Sequence, residues 1–189
     1  SEVYVAWSTF PAYPTNNIWF AKSSDNGASW APAIILTSNF FTMDYVLGND
    51  RVHNLPSLAV DNSAGANSGT IYVVYANNNG HDGADIFFQR SINGGTSFSP
   101  PIALNSRPGA DRAQWFPFVT VDATTGRVSV IYYDQGIATS GDLTETSWIY
   151  SDNGGVTWSK PTPLTGPAGS FFVGLDALKL SGPFHAGYG

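Results

Sequence analysis

Ser151-Asp152-Asn153-Gly154-Gly155-Val156-Thr157-Trp158 is the stretch that decides the fold, because it occurs three times. The other copies are Ser23-Ser24-Asp25-Asn26-Gly27-Ala28-Ser29-Trp30 and Ser91-Ile92-Asn93-Gly94-Gly95-Thr96-Ser97-Phe98, and all three align without gaps. The shared pattern is Ser-x-Asp/Asn-x-Gly-x-Ser/Thr-Trp/Phe. Each part has a physical task. The Asp or Asn side chain accepts from backbone N–H groups of its own turn. Gly27, Gly95 and Gly155 supply a positive φ. Trp30, Phe98 and Trp158 start the next strand, and the expectation is that they plug the core beneath the turn.

The flanks repeat too. Before each octapeptide lies a strand-like run: Asn17 to Lys22, Asp85 to Arg90, and Glu145 to Tyr150. After each comes an edge-like segment with a proline (Pro32, Pro100, Pro161) that ends in Leu36, Leu104 or Leu164. Proline cannot donate to a central ladder, so these belong at an outer edge. Further upstream sit Val3 to Trp7, Ile71 to Tyr75, and Val128 to Tyr132. A fourth strand type follows the pattern Asp-Arg-x-His/Gln-x-Leu/Phe-Pro-x-Leu/Val-x-Val-Asp, from Asp50 to Asp61 and from Asp111 to Asp122. A weaker copy runs from Phe172 to Leu178.

Four short strands per period of roughly 60 residues predict a β-propeller of four-stranded antiparallel blades. Composition agrees: 20 Gly, 12 Pro and 42% hydrophobic residues suit an all-β chain rich in turns. The blade units fall at about 1–37, 50–105 and 111–165 in one domain, with 171–180 as a closing inner strand. Three blades are too few for a ring of four to eight. The expected partner is therefore the remainder of a longer propeller chain, or a second copy in a homodimer. The chain begins directly in strand-like sequence, so either a signal was removed or further sequence precedes it.

The three octapeptides resemble the bacterial neuraminidase repeat, or Asp-box. The whole chain is similar to part of a sialidase-like propeller. That resemblance implies that the boxes staple the outer rim, away from the mouth of a site. It also implies, for an active sialidase, three arginines around the substrate carboxylate, an Asp acid/base and a Tyr–Glu nucleophile pair. The family's first arginine stands in a Phe/Tyr-Arg-Ile-Pro motif. The nearest strings here, Asn54-Leu55-Pro56 and Trp115-Phe116-Pro117, have no arginine at that place.

Candidate chemistry lies on the loops expected to open on one face near the axis. Arg51 and Arg112 begin equivalent inner strands, with His53 and Gln114 two residues further on. Guanidinium groups suit bidentate capture of a carboxylate or sulfate. The alternative is an Asp-Arg turn that orders each loop. Trp115 and Tyr13 can stack on a sugar ring or pack internally. Asp134 tops a strand and is the candidate general acid, if burial shifts it. Asp82 and Asp85, in a loop rich in oxygen ligands, are candidate calcium ligands without EF-hand spacing.

Several classes are excluded. A net charge of −6 opposes general nucleic-acid binding. The absence of cysteine excludes disulfides and thiolate zinc sites. No apolar run approaches the roughly 20 residues of a membrane-spanning helix. Two functions follow from the resemblance. One is a secreted or cell-surface module that binds glycan or protein. The other is an exo-glycosidase of sialidase type, completed by residues outside this chain.

Overall fold

The computed structural model describes residues 1–12, 15–41, 55–77, 84–105, 113–135 and 145–164. Among these residues there are eleven strands and no helix. They form three antiparallel sheets. The first holds β1 (Val3–Ala12), β2 (Thr15–Ser23) and β3 (Ile34–Phe41). The second holds β4 (Ser57–Val60), β5 (Ile71–Asn77), β6 (Asp85–Ser91) and β7 (Ile102–Ala103), in that spatial order. The third holds β8 (Gln114–Val121), β9 (Val128–Asp134), β10 (Glu145–Ser151) and β11 (Thr162–Pro163). These are the up-and-down blades expected from the repeats. The strand after the first box runs on to Phe41, beyond Leu36. Pro32 and Pro100 precede their outer strands, while Pro163 lies within β11, where no further strand needs its missing N–H. The expected closing strand at 171–180 lies outside the described residues.

The three Asp-box turns share the same serine-centred and backbone bonds. Ser23, Ser91 and Ser151 each donate through Oγ to Oδ1 of Asp25, Asn93 or Asn153, at 2.7–2.9 Å. Each serine hydroxyl also accepts from the N–H of Gly27, Gly95 or Gly155, at 2.8–2.9 Å. The Asp or Asn Oδ1 accepts in turn from the N–H of Ser29, Ser97 or Thr157, at 2.8–3.0 Å. So the serine is a second hub of the turn, beside the Asp or Asn. Asp and Asn interchange because the backbone needs only an acceptor at that atom.

The boxes also join the blades. Phe20 of β2 meets Phe98 of the next box edge-on, with centroids 4.8 Å apart. Phe88 of β6 meets Trp158 in the same way at 4.9 Å. The box glycine lies flat on that ring: a Cβ at Gly95 would stand 2.5 Å from Phe20, and one at Gly155 would strike Phe88. A cation completes each joint. Lys22 Nζ donates to the Gly94 carbonyl at 2.9 Å, and Arg90 donates to the Gly154 carbonyl. Phe98 and Trp158 thus pack against the core beneath their turns, as expected, and do so in the seam between blades. Trp30, which no described residue of another blade covers, is 45% exposed. Its expected core position is not met, for that reason.

Between the second and third sheets lies the main core. Tyr72, Val74, Ile86 and Phe88 pack on Trp115, Val119, Val130, Tyr132 and Ile149. Alternation sets this up: along β10 every second residue is buried. A second cluster, Ile18 with Val73 and Tyr75, seats the first sheet on the second. Trp19 and Trp148 are only half-buried. Trp19 stacks on Trp7 and Trp148 on Tyr150, each on a sheet face turned away from its neighbour.

Candidate functional site

The strand directions separate two ends. Each box follows the third strand of its blade and lies at one end. The ends of β5, β7 and β9 and the starts of β6, β8 and β10 lie at the other. Register places polar residues at this second end. Asn77 faces Asp85, and Gln114 and Glu145 both face Asp134 across adjacent strands.

These side chains form a buried network across two blades. Asn105, just past β7, stands between the sheets. Its Oδ1 accepts from the Ile86 N–H at 2.7 Å. Its Nδ2 donates to Asp85 Oδ1 at 3.1 Å and to Gln114 Oε1. Gln114 Nε2 donates to Asp134 Oδ1 at 2.9 Å. Ser147 Oγ donates to Asp134 Oδ2 at 3.0 Å. Backbone bonds run alongside, from Gln114 N–H to the Ala84 carbonyl at 3.0 Å and from Gln135 N–H to the Ala113 carbonyl at 3.1 Å. Asp85, Asn105, Gln114, Asp134, Glu145 and Ser147 are all buried. Polar groups this deep are stable only when hydrogen-bonded, so the network dictates where each chain segment leaves the sheet.

The expected site residues divide three ways. Gln114 and Asp134 meet directly, and Asn105 connects them to Asp85. Trp115 is 2% exposed and packs in the inter-blade core, edge-on to Tyr133. It therefore offers no open ring face to a sugar, and the stacking expectation is corrected. Strand alternation turned it toward the neighbouring blade. Arg51, His53, Arg112, Asp82 and Tyr13 lie outside the described residues. Among the described residues no group of three His, Cys, Asp or Glu side chains is placed to hold a metal. Asp85 is a network member bound to an amide.

Sequence reasoning missed Asn105 and Ser147. Asn105 looked like the end of an edge strand, and Ser147 like any serine in an alternating strand. The one available signal was position: Asn105 follows Leu104, where Thr37 follows Leu36 and Thr165 follows Leu164. A Tyr–Glu contact does occur, with Tyr4 Oη donating to Glu2, but it belongs to the first strand near the first box. Burial, then the bond and charge of Glu2, push that phenol up to about 12. That is the reverse of an activated nucleophile.

Comparison with known proteins agrees with this architecture. The family model BNR/Asp-box repeat matches residues 149–160. No curated protein matches the sequence. Among solved structures, the Hadza microbial sialidase Hz136 aligns at TM-score 0.60 with 15% identity, over 86% of this chain and 35% of that one. The GH93 α-L-arabinofuranosidase of Fusarium graminearum, in complex with arabinobiose, aligns at 0.57 with 18% identity, over 89% and 46%. A leech intramolecular trans-sialidase aligns at 0.51 with 21% identity, over 83% and 20%. The chain thus spans less than half the length of each. No helix among the described residues is long and apolar enough to cross a membrane. With three boxes closed by the same backbone bonds on three antiparallel blades, the chain is a sialidase-like Asp-box β-propeller in fold.

Proposed function

We propose that this chain is part of a secreted or cell-surface propeller that binds an acidic glycan at the end opposite the Asp-boxes. One observation carries the reading: the buried Asp85–Asn105–Gln114–Asp134–Ser147 network lies at that end and holds the roots of its loops. Arg112 stands two residues before Gln114, and Arg51 takes the equivalent place in the preceding blade. In this reading they supply guanidinium groups to a carboxylate or sulfate, with His53 beside them. Asp134 acts as a support. Its two oxygens accept from Gln114 and Ser147, and it is 1% exposed.

A second reading has one observation in its favour. Asp134 and Glu145 are direct cross-strand partners, so two carboxyl groups share one row. Paired carboxyl groups are the working parts of most glycosidases. In that reading the chain supplies part of an exo-glycosidase whose other groups come from further blades.

Calorimetry with sialylated, sulfated and neutral oligosaccharides tests the first reading. Saturable binding of an acidic sugar is expected, weakened at least tenfold in Arg112→Ala and unchanged in Asp25→Asn at the opposite end. No saturable binding of any acidic sugar would overturn it. Turnover of a fluorogenic glycoside that disappears in Asp134→Asn would put the second reading in its place.

A further inference from the structure

Asparagine followed by glycine is among the least durable pairs in a polypeptide, because the glycine nitrogen, with no Cβ beside it, is free to attack the asparagine side chain. The pair occurs in all three boxes, as Asn26-Gly27, Asn93-Gly94 and Asn153-Gly154. A fourth, Asn79-Gly80, lies outside the described residues. Each box asparagine is exposed, so water reaches all three. The fold nonetheless sets them apart in two respects, the attacking nitrogen and its cover.

In the first box the pair stands one place later than in the other two. Its glycine is therefore the one that the box serine holds, and the Gly27 N–H donates to Ser23 Oγ at 2.8 Å. In the second and third boxes that bond falls to Gly95 and Gly155. Gly94 and Gly154, which follow the asparagines, donate to none of the described residues. Cover then separates these two. A Cβ at Gly154 would stand 2.5 Å from the side chain of Asn67, in the β4–β5 connection of the neighbouring blade, whereas nothing lies within 4 Å of one at Gly94. Side-chain bonds do not separate them. Oδ1 of Asn93 and of Asn153 accepts from two donors, and Nδ2 donates to Ser97 or Thr157 at 2.8 Å. Each turn must open locally before the nitrogen can attack, and the second box opens against less cover.

We propose that Asn93 is a deamidation site, converted spontaneously to aspartate ahead of Asn26 and Asn153, so that the second box takes the carboxylate form of the first. The Gly94 nitrogen loses its proton and bonds to Asn93 Cγ. The bond from Cγ to Nδ2 breaks, and ammonia leaves with that proton. Water then opens the five-membered imide. Attack at Cγ gives aspartate, and attack at the backbone carbonyl gives isoaspartate. One water is consumed and one ammonia released. Aspartate suits this turn. At Asp25, Oδ1 accepts the equivalent backbone N–H, and Oδ2 accepts from the Ser29 hydroxyl at 2.5 Å, where Asn93 donates to Ser97. The serine hydroxyl only changes from acceptor to donor. Isoaspartate adds one carbon to the main chain between Asn93 and Gly94, which displaces the neighbouring Gly95 from its seat on the Phe20 ring. The inference does not depend on the glycan reading, since the boxes lie at the opposite end.

Peptide mass mapping of the full chain, aged in mildly alkaline buffer with and without denaturant, tests it. In the folded chain the amide-to-acid mass gain should accumulate at Asn93 at least about threefold faster than at Asn26 or Asn153. In denaturant the three rates should converge, because only the fold separates them. Ser97→Ala removes the bond that holds Nδ2 and should raise the folded-state rate at Asn93 alone. Asn93→Asp, the product, should fold as wild type does by circular dichroism. No gain at Asn93 in the folded chain would overturn the proposal. So would a faster gain at Asn26 or Asn153, an order that denaturant leaves unchanged, a Ser97→Ala rate no higher than that of wild type, or an Asn93→Asp chain that fails to fold.

Discussion

Gly94 and Gly95 are neighbours with positive φ, yet they differ in what surrounds them. Gly94 has φ 64° and open space within 4 Å of where a Cβ would stand, whereas Gly95 has φ 77° and the Phe20 ring at 2.5 Å. Alanine at either site adopts a left-handed backbone at about 1–2 kcal/mol. At Gly95 it must also displace a packed ring, which adds about 1–3 kcal/mol. Denaturant unfolding should therefore show Gly95→Ala as the more damaging by at least 1 kcal/mol or so. Equal effects would mean that the glycine–ring contact does not hold the blades. Asp25 supports a second residue-scale expectation. The Ser29 hydroxyl first, then the Ser23 hydroxyl and the Ser29 N–H, hold its carboxyl down from 3.8 to about 2. Its contribution is thus complete above pH 3.8 and lost as pH falls through about 2. Asn93 and Asn153 make the same backbone bonds and do not titrate. The thermal stability difference between wild type and Asp25→Asn should therefore change below pH 4 and be flat above it. A difference that varied only between pH 6 and 8 would contradict this.

The informative element is the end of β8. Gln114 links blades through one side chain, accepting from Asn105 and donating to Asp134. Alanine there removes one hydrogen bond from each of two buried partners, Asn105 and Asp134. An unmade bond to a buried group costs about 1–3 kcal/mol, so Gln114→Ala should lose about 2–6 kcal/mol in denaturant unfolding. Asn105→Ala and Gln114→Ala should be non-additive by at least 0.5 kcal/mol or so, as residues in one hydrogen-bond network are. Additive losses would show that the network does not act as a unit. At the box end the elements are held differently, by Arg127. Its guanidinium bridges Asp152 at 2.6 Å and lies 4.2 Å over the Tyr150 ring. That pair is exposed, so water and salt screen it and it contributes little. The buried network therefore governs the coupling between the second and third blades at the loop end.

For the molecule as a whole, a net charge of −6 favours dispersal in solution, and the joints between its blades are aromatic. Much of the architecture was legible in advance. The octapeptide repeats, their flanking strands and the prolines placed eleven strands and the box end, because turn chemistry and period-two alternation are local properties. The Asp25, Asn93 and Asn153 turns formed as their residue types require. The fate of the aromatics was not local. Trp30 and Trp158 occupy the same place in the same motif, yet among the described residues one is exposed and the other is seated on Phe88 of the neighbouring blade. Gln114 and Asp134 could be singled out as polar residues at strand ends, but not joined through Asn105. That contact spans two blades and depends on how sheets stack, a non-local outcome that no single strand encodes. Sequence alone thus determined the repeat, the blade and the rim. Tertiary packing decided which rings became seams and which polar residues became one network.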